Sequence, residues 1–395
     1  MTAEQRFFLD ILSDHILKKN TVPVDSVNWG EVCAYARRHQ VESIVYYQCR
    51  SFMPGYVLNE CKRAYSASVF WYSNRQVLLS RLEKALGELP YAVVKGSAMI
   101  NYYPVPPLRT MGDTDIVISP EYKEKAHDIL ISEGLTCVSR PDITEWSYKK
   151  DGMEFELHDG LLYPDAVNNE RLIDYFSDFN KHIHNGRPDE DYHFIYMLCH
   201  LRKHLMNSGV GFRQFTDLAV LAMYDKELDW QKIERELEKL ELLQFARVCF
   251  GFIERWFGVS CPIQPDIPED DFFEDATRRI FSDGVFGAEN KENVKNSIAY
   301  EAGTKAHPVL FMIKKTLLLL FPGYSKLVSC GGYPFLKGRP YLLPFAWLKR
   351  AFTGLKTGKK NEIREMMVYA HAPAAKVKER SALLQNWGLI PEEKS

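Results

Sequence analysis

Two aspartates and two later glutamates have the type and spacing of residues that bind metal-bound phosphate. Asp113 and Asp115 lie two residues apart at the start of an apolar run, so in a strand both side chains point to one face. Glu154 and Glu156 alternate with apolar residues further along, and either can join the aspartates from a neighbouring strand. Clustered carboxylates of this kind hold one or two divalent cations. The pattern therefore favours chemistry on phosphate, with Glu154 and Glu156 as alternatives for the third carboxylate.

A glycine turn upstream could bind the phosphate itself. Gly96 and Ser97 follow the short apolar run Tyr91–Val94 and precede a predicted helical turn, so backbone N–H groups and a hydroxyl can point at an anion. Lys95 and Arg109 flank this turn as candidate cations. Phosphoryl and nucleotidyl transfer need such neutralisation of charge together with an in-line nucleophile.

The elements that must position these residues form a small sheet with helices around it. Strands are predicted at 91–94, 113–119, 136–139, 145–150 and 153–158, with a helix over 121–133. The last two strands are expected to form a hairpin through Asp151 and Gly152. Helices are predicted on both sides of the sheet in the sequence, including 191–206, 212–224, 230–240 and 243–256. The predicted fold class is therefore α+β.

The 395 residues and 46% hydrophobic content allow two or three domains. Shifts in composition divide the chain into five regions. They are an N-terminal helical region (1–89), a mixed α/β core (90–165), a helical domain expected to pack on the site (166–260), an acidic linker or loop region (261–301) and a basic, aromatic-rich C-terminal region (302–395). The N-terminal helices are expected to do no more than pack on the core. The proline-rich loop 103–107 is either a substrate contact or a surface excursion.

Polar residues of the second helical region could reach the same site. His200 and His204 are spaced to share one helical face, with Lys203 beside them, and one of the three can contact phosphate or an acceptor. The alternatives are ordinary core or surface histidines, or a zinc site for which no third ligand has recognisable spacing. Arg213 and Asp217 have helical spacing and can pair with each other.

The amino-acid composition limits which cellular compartment and which binding partners are expected. The formal net charge is −2, which gives no overall case for nucleic-acid binding. Eight scattered cysteines without a Cys-x-x-Cys pair argue against a zinc knuckle or a disulfide framework. No signal peptide is expected, and the most apolar run, 309–321, is too short and too interrupted by lysines to span a bilayer. A cytoplasmic protein is expected, with peripheral membrane contact as an option.

That option comes from a tract without acidic residues, 302–361, which contains eleven lysines and arginines interleaved with aromatic residues. Such a tract can bind an anionic membrane surface, a nucleic acid or another polyanion. Its lysines can also lie over an apolar core with their charged ends in water, and this interpretation is favoured.

Taken together, these motifs resemble the DNA polymerase β-like nucleotidyltransferase superfamily. More narrowly, they resemble the bacterial "uncharacterised nucleotidyltransferase" family, in which a minimal nucleotidyltransferase core lies between helical regions. The residues that carry this resemblance are Lys95-Gly96, Arg109, Asp113-Thr114-Asp115-Ile116, Glu156-Leu157-His158, His200, Lys203-His204, Arg213 and Asp217. The resemblance covers roughly 91–217. The interval between Gly96 and Asp113 is longer than the superfamily pattern, and the loop 103–107 accounts for it.

The resemblance implies particular roles. Asp113, Asp115 and Glu156 would be catalytic and would bind Mg²⁺ or Mn²⁺. The nucleotide would be held by Lys95, Gly96, Ser97, Arg109, Lys203, His204 and Arg213.

The resemblance also implies a reaction, in which a nucleoside monophosphate moves from an NTP, with ATP favoured, to an unidentified acceptor, and pyrophosphate is released. The alternative is a non-catalytic nucleotide-binding or scaffold module that binds an anionic partner through its basic C-terminal tract. Retention of three like charges weighs against this alternative, because a site without function has little need to concentrate them.

Overall fold

The computed structural model describes residues 1–139, 145–163, 169–207, 209–224, 226–266, 269–285, 317, 321–329, 333–336, 338–356 and 382–389. They belong to two compact units, Met1–Glu289 and Asn290–Ser395. The first unit contains every residue for which the sequence predicts a role in phosphate chemistry. A search of the described ranges finds no helix that is long and apolar enough to cross a membrane.

Four helices build the N-terminal region, as the sequence predicts. They are α1 Ala3–Ile16, α2 Trp29–His39, α3 Glu42–Cys49 and α4 Gly55–Leu86. Side-chain caps define two of the starts, because Thr2 accepts a bond from the Gln5 N–H at α1 and Asn28 accepts bonds from the first N–H groups of α2. Buried leucines near the end of α4 pack on the sheet that follows.

The five-stranded sheet has the order β1-β2-β5-β4-β3. The strands are β1 Tyr91–Val94, β2 Asp113–Ile118, β3 Thr136–Ser139, β4 Trp146–Lys150 and β5 Met153–His158. Helix α5 Lys95–Met99 follows β1, and α6 Lys123–Ser132 lies between β2 and β3 in the chain. Strands β2 and β5 are parallel, whereas the other neighbouring pairs are antiparallel. Asp151 and Gly152 turn the β4–β5 hairpin with φ of 50° and 80°, as a tight hairpin turn requires. The α+β class is confirmed.

The two faces of the sheet differ in chemistry. Apolar residues of β2 and β5 belong to a buried cluster that includes leucines of α4 and α6. On the opposite face, the parallel register aligns Asp113 with Glu154 and Asp115 with Glu156. Since side chains alternate along a strand, all four carboxylates share this second face.

Helices return after the sheet. They are α7 Glu170–Ser177, α8 Glu190–Asn207, α9 Phe212–Tyr224, α10 Trp230–Lys239 and α11 Leu243–Phe257. A short pair of strands, β6 Ile183–His184 and β7 Arg187–Pro188, precedes α8. The four helices predicted from 191 onward are confirmed to within one residue at each end.

The structure differs from the sequence expectation inside the acidic region 261–301, where Asp270–Asp283 is a helix, α12. Phe273, Ala276 and Ile280 recur at helical spacing and are buried, and Phe273 stacks on a phenyl ring of α11. Asp270 and Asp271, two of the acidic residues that suggested a loop, fall in the first turn, where the helix dipole favours negative charge. Residues 267–268 and 286–301 of this region lie outside the described residues.

The described part of the second unit includes α13 Tyr324–Ser329 and α14 Leu343–Lys356. Leu327, Leu336 and Ala346 form a small buried cluster within it. In the basic tract 302–361, the residues 302–316, 318–320, 330–332, 337 and 357–361 lie outside the described residues. Contact of this tract with a membrane surface or a polyanion therefore stays a prediction.

A buried histidine makes the first unit sensitive to acid. The ring of His39 lies among the rings of Phe8, Phe212 and Phe281, and its Nδ1 accepts a hydrogen bond from the Phe212 N–H at 3.3 Å. Burial, and to a smaller extent the charge of Arg38, lowers the pKa of His39 to about 3. His39 is therefore neutral in the folded protein throughout the range in which an exposed histidine titrates.

We predict that lowering the pH from 7 to 5 destabilises the protein partly through His39. The unfolded chain takes up a proton below about pH 6.5 whereas folded His39 does not, so stability falls as the pH drops from 6.5 toward 3. At pH 5 this residue should contribute a loss of about 2 kcal/mol. Urea unfolding at both pH values should show a smaller loss for His39→Gln than for the unmodified protein. His184→Gln, whose side chain is 66% exposed, serves as the control. Equal losses in all three proteins would contradict the prediction.

Candidate active site

A cavity of about 260 Å³ opens on the carboxylate face of the sheet. Strand β2 and the turn after β1 contribute to its lining, and so do α8 and α9. The lining residues that the sequence predicts as site residues are Lys95, Gly96, Arg109, Asp113, Asp115, Lys203, His204 and Arg213. Of the remaining predicted residues, Ser97 is buried behind the turn and Glu156 lies beside Asp115. The fold thus brings together residues that are more than 100 positions apart in the sequence.

The two aspartates of β2 have different surroundings. Asp113 is exposed to the cavity, whereas Asp115 is buried and its Oδ1 accepts hydrogen bonds from Lys95 Nζ at 2.5 Å and His158 Nε2 at 3.0 Å. Burial alone would raise the pKa of Asp115, but Lys95 and His158 together lower it below its usual range. Partial loss of water and the like charge of Asp115 raise the pKa of Asp113.

Glu156 and His158 lie beside Asp115. Glu156 Oε2 lies 3.3 Å from His158 Nε2, and the ligand atoms of Asp115, Glu156 and His158 all lie within 4.8 Å of one another. Burial would lower the pKa of His158, but its contacts with the two carboxylates raise it. Glu154 pairs instead with Lys149 at 2.6 Å, at an exposed position. The geometry therefore favours Glu156 over Glu154 as the third carboxylate.

Lys95 opens the glycine turn with a strained backbone. Its φ of 52° lies in the left-handed region, which costs a residue with a side chain about 1 kcal/mol or more. In this conformation its N–H donates to His193 Nε2 at 3.1 Å while its ammonium group reaches Asp115. Helix α5 begins at Lys95 and includes Gly96 and Ser97. Burial opposes the charge of Lys95, but Tyr196 and Asp115 outweigh it and the pKa of Lys95 is raised.

Gly96 and Ser97 have separate structural tasks. A Cβ at position 96 would lie 2.5 Å from Arg109 Nη1, so a side chain here would require the guanidinium to shift from its observed position. The hydroxyl of Ser97 is buried and donates to Thr114 Oγ1 at 3.2 Å. The hydroxyl is thus directed at β2 in this structure.

Arg109 forms a buried pair with Asp217 that joins the loop before β2 to α9. Its Nε and Nη2 each donate to one carboxylate oxygen of Asp217 at 2.8 Å, and the Tyr103 hydroxyl donates to the same carboxylate at 2.6 Å. Burial would lower the pKa of Arg109, but Asp217 raises it. The expected pair of Arg213 with Asp217 is replaced by this arrangement. Tyr103 is buried, so the loop that contains it is anchored in the protein at this residue.

Arg213 keeps a charge that faces the cavity. Its Nη1 donates to Gln40 Oε1 at 2.5 Å and to the Thr110 carbonyl at 3.3 Å. Its Nε is buried without a hydrogen-bond partner, and no ion pair within the described part of the chain includes Arg213. Burial, together with the nearby charge of Arg109, lowers the pKa of Arg213 to about 10. Arg213 is therefore a cation at neutral pH that is available to an anion.

Helix α8 adds two histidines and a lysine to the lining. The Nε2 atoms of His200 and His204 lie 3.0 Å apart, as their helical spacing predicts. Burial lowers the pKa of both, that of His204 to about 4, so both rings are neutral at pH 7. Burial and the charge of Lys95 also lower the pKa of Lys203. Among the described residues, no group of three metal-binding side chains includes either histidine, so zinc binding here lacks support.

Two residues from the N-terminal helices touch this site without having been predicted from the sequence. Gln40 follows α2 and holds Arg213, and Arg75 of α4 holds the start of β2 through Thr114 and the Gly112 carbonyl. Neither residue belongs to a local motif, because its partners are 37 to 173 positions away. The sequence signal that could have identified Arg75 is a charged residue on an otherwise apolar helix face.

A mixed sheet with clustered carboxylates, beside a cavity with cations in its lining, is the architecture of a nucleotidyltransferase core. A family model described as "Uncharacterised nucleotidyltransferase" matches residues 25–258. The chain belongs to this family, and the family resemblance of its motifs is confirmed. No curated protein and no solved structure gives a significant match. Membership points to nucleotide transfer as the activity. The match extends from α2 to α11, well beyond 91–217.

We predict that Asp217→Asn lowers the free energy of unfolding by about 3 to 5 kcal/mol. The substitution leaves the buried Arg109 guanidinium without a charged partner, and an uncompensated buried charge is costly. Asp10→Asn is the matched control, because Asp10 pairs with Arg6 on the surface, with both side chains more than 40% exposed. Its loss should stay within about 1 kcal/mol. Urea unfolding of the two variants tests the prediction, and similar losses would contradict it.

Proposed function

We propose that the protein transfers a nucleoside monophosphate from an NTP, with ATP as the donor, to an acceptor nucleophile and releases pyrophosphate. One observation carries the proposal: a single cavity is lined by the carboxylates of Asp113 and Asp115 and by the cations of Lys203 and Arg213. Nucleotidyl transfer needs both sets, since carboxylates hold divalent cations and basic side chains neutralise the triphosphate.

The acidic residues fit a hard divalent cation. Asp115 and Glu156 face each other across parallel strands, and the ligand atoms of Asp115, Glu156 and His158 are close enough to share one ion. Oxygen ligands suit Mg²⁺, and a set that includes imidazole also suits Mn²⁺. Asp113 offers a further carboxylate at the cavity surface. When bound, the cation would neutralise phosphate charge and make the α-phosphorus more susceptible to attack.

The basic residues support the position of the phosphates. Arg213 and Lys203 have charges that face the cavity, and we propose that they bind the β- and γ-phosphates. Arg109 is already paired with Asp217, so we propose that it shapes the turn around Gly96 and adds only a partial charge. The Lys95 N–H at the start of α5 already donates to His193. The N–H groups of Gly96 and Ser97, which follow it in the first turn, lack partners within the helix, and we propose them as further donors for phosphate.

The neutral histidines support contact with the acceptor. A ring nitrogen that carries no proton can accept a hydrogen bond from an acceptor hydroxyl or amine. We propose that His204, which is hydrogen-bonded to His200, orients the acceptor. Glu156 would help to take up the proton that the acceptor loses.

Incubation with NTPs labelled at the α-phosphate, Mg²⁺ or Mn²⁺ and cell extract tests the proposal. The expected result is label on an acceptor with pyrophosphate released in equal amount. Binding of NTP without turnover on any acceptor would instead favour the non-catalytic module.

We predict that Asp113→Asn and Asp115→Asn each reduce label transfer about 100-fold or more. Each substitution removes a carboxylate that would hold the cation, and a bound cation stabilises the transition state by several kcal/mol. An increase of about 1.4 kcal/mol in the barrier lowers the rate by a factor of about 10. Asp128→Asn is the matched control because Asp128 is an exposed carboxylate on α6. Transfer by the control should equal that of the unmodified protein. Full activity in folded Asp113→Asn and Asp115→Asn would refute the proposed site.

A further inference from the structure

Arg75 is a charged residue buried in the middle of α4. It is only 4% exposed, and its Nε has no hydrogen-bond partner. Within the described ranges, no carboxylate forms an ion pair with it. Burial lowers its pKa relative to an ordinary arginine, while Asp113 and Glu154 act in the opposite direction. A buried guanidinium normally requires a carboxylate partner, so its partners here need an explanation.

Those partners lie on either side of Asp113. Arg75 Nη1 donates to Thr114 Oγ1 at 2.7 Å, and Nη2 donates to the Gly112 carbonyl at 2.8 Å. Because side chains alternate along β2, the Thr114 hydroxyl lies on the face opposite to Asp113 and Asp115. Arg75 therefore contacts β2 from the face of the sheet opposite to Asp113 and Asp115.

Thr114 also connects this contact to the glycine turn. It is completely buried, and its Oγ1 accepts a second hydrogen bond, from the Ser97 hydroxyl at 3.2 Å. Arg75, Thr114 and Ser97 thus link three elements of the site, which are α4, β2 and α5. A shift of Arg75 would move the strand that carries the carboxylates relative to the turn.

We propose that Arg75 is a positioning residue for the cation site. It holds the backbone carbonyl before Asp113 and the Thr114 side chain after it, so that Asp113 and Asp115 are already placed when a divalent cation binds. Its positive charge also offsets part of the repulsion among the carboxylates on the far face. This inference rests on the proposed function for the presence of the cation. It makes the N-terminal helical region a part of the site instead of a packing element alone.

Binding of Mn²⁺ to the full-length protein, measured by isothermal titration without nucleotide, tests the proposal. Arg75→Met should raise the dissociation constant for Mn²⁺ by about 10- to 100-fold, as expected when residues that orient metal ligands are lost. Arg75→Lys, which keeps the charge but not the paired hydrogen bonds, should give an intermediate value. Arg81→Met is the matched control, because Arg81 is an exposed arginine of the same helix that pairs with Glu133. It should bind Mn²⁺ within about twofold of the unmodified protein.

Thr114→Val provides a second test of the proposal in case Arg75→Met does not fold. This variant removes the hydroxyl that Arg75 holds, so it should also weaken Mn²⁺ binding, and the double variant should be no weaker than Arg75→Met alone. Unchanged Mn²⁺ affinity in folded Arg75→Met, or in Thr114→Val, would overturn the proposal. An unmodified protein that binds Mn²⁺ but transfers no nucleotide would overturn only the proposed reaction. An unmodified protein that does not bind Mn²⁺ would overturn both.

Discussion

The parallel register of β2 and β5 brings four carboxylates to one face of the sheet, with Asp115 opposite Glu156 at its centre. Like charges at this distance repel, and burial of Asp115 adds a cost of desolvation. Two donors adjoin that carboxylate and offset these costs, the Lys95 ammonium and the His158 imidazole. The strained backbone of Lys95 is then understandable, since it lets one residue place its N–H on α8 and its ammonium on β2.

A second constraint joins the loop before β2 to helix α9. Asp217 of α9 accepts two hydrogen bonds from Arg109 and one from Tyr103, all within a buried environment. Such a pair tolerates little displacement, because its stability depends on complete hydrogen bonding. The Arg109–Asp217 pair therefore fixes α9, which carries Arg213, relative to the aspartates of β2. Gly96 also contributes to this constraint, because a Cβ at this position would collide with the Arg109 guanidinium.

The N-terminal helices belong to this arrangement. Gln40, at the end of α2, accepts a hydrogen bond from Arg213, and Arg75 of α4 donates two to the start of β2. The family match begins at residue 25 and so includes both residues. The groups that we propose to bind the cation and the phosphates are thus each supported by a residue of the N-terminal helical region, which precedes the sheet in the chain.

The sequence by itself determined the elements and the polarity of their faces. The period of two in β2 put Asp113 and Asp115 on one face, and the four helices from residue 191 onward were predicted to within one residue at each end. These features depend on neighbouring residues alone. The alternation of side chains left Glu154 and Glu156 open, because both have the same parity, and only the family resemblance pointed to Glu156. The tertiary structure supports Glu156 independently, since the strand register with β2 places it beside Asp115. It also decided that Asp217 pairs with Arg109, since a guanidinium takes whichever buried carboxylate the packing of distant elements brings within reach.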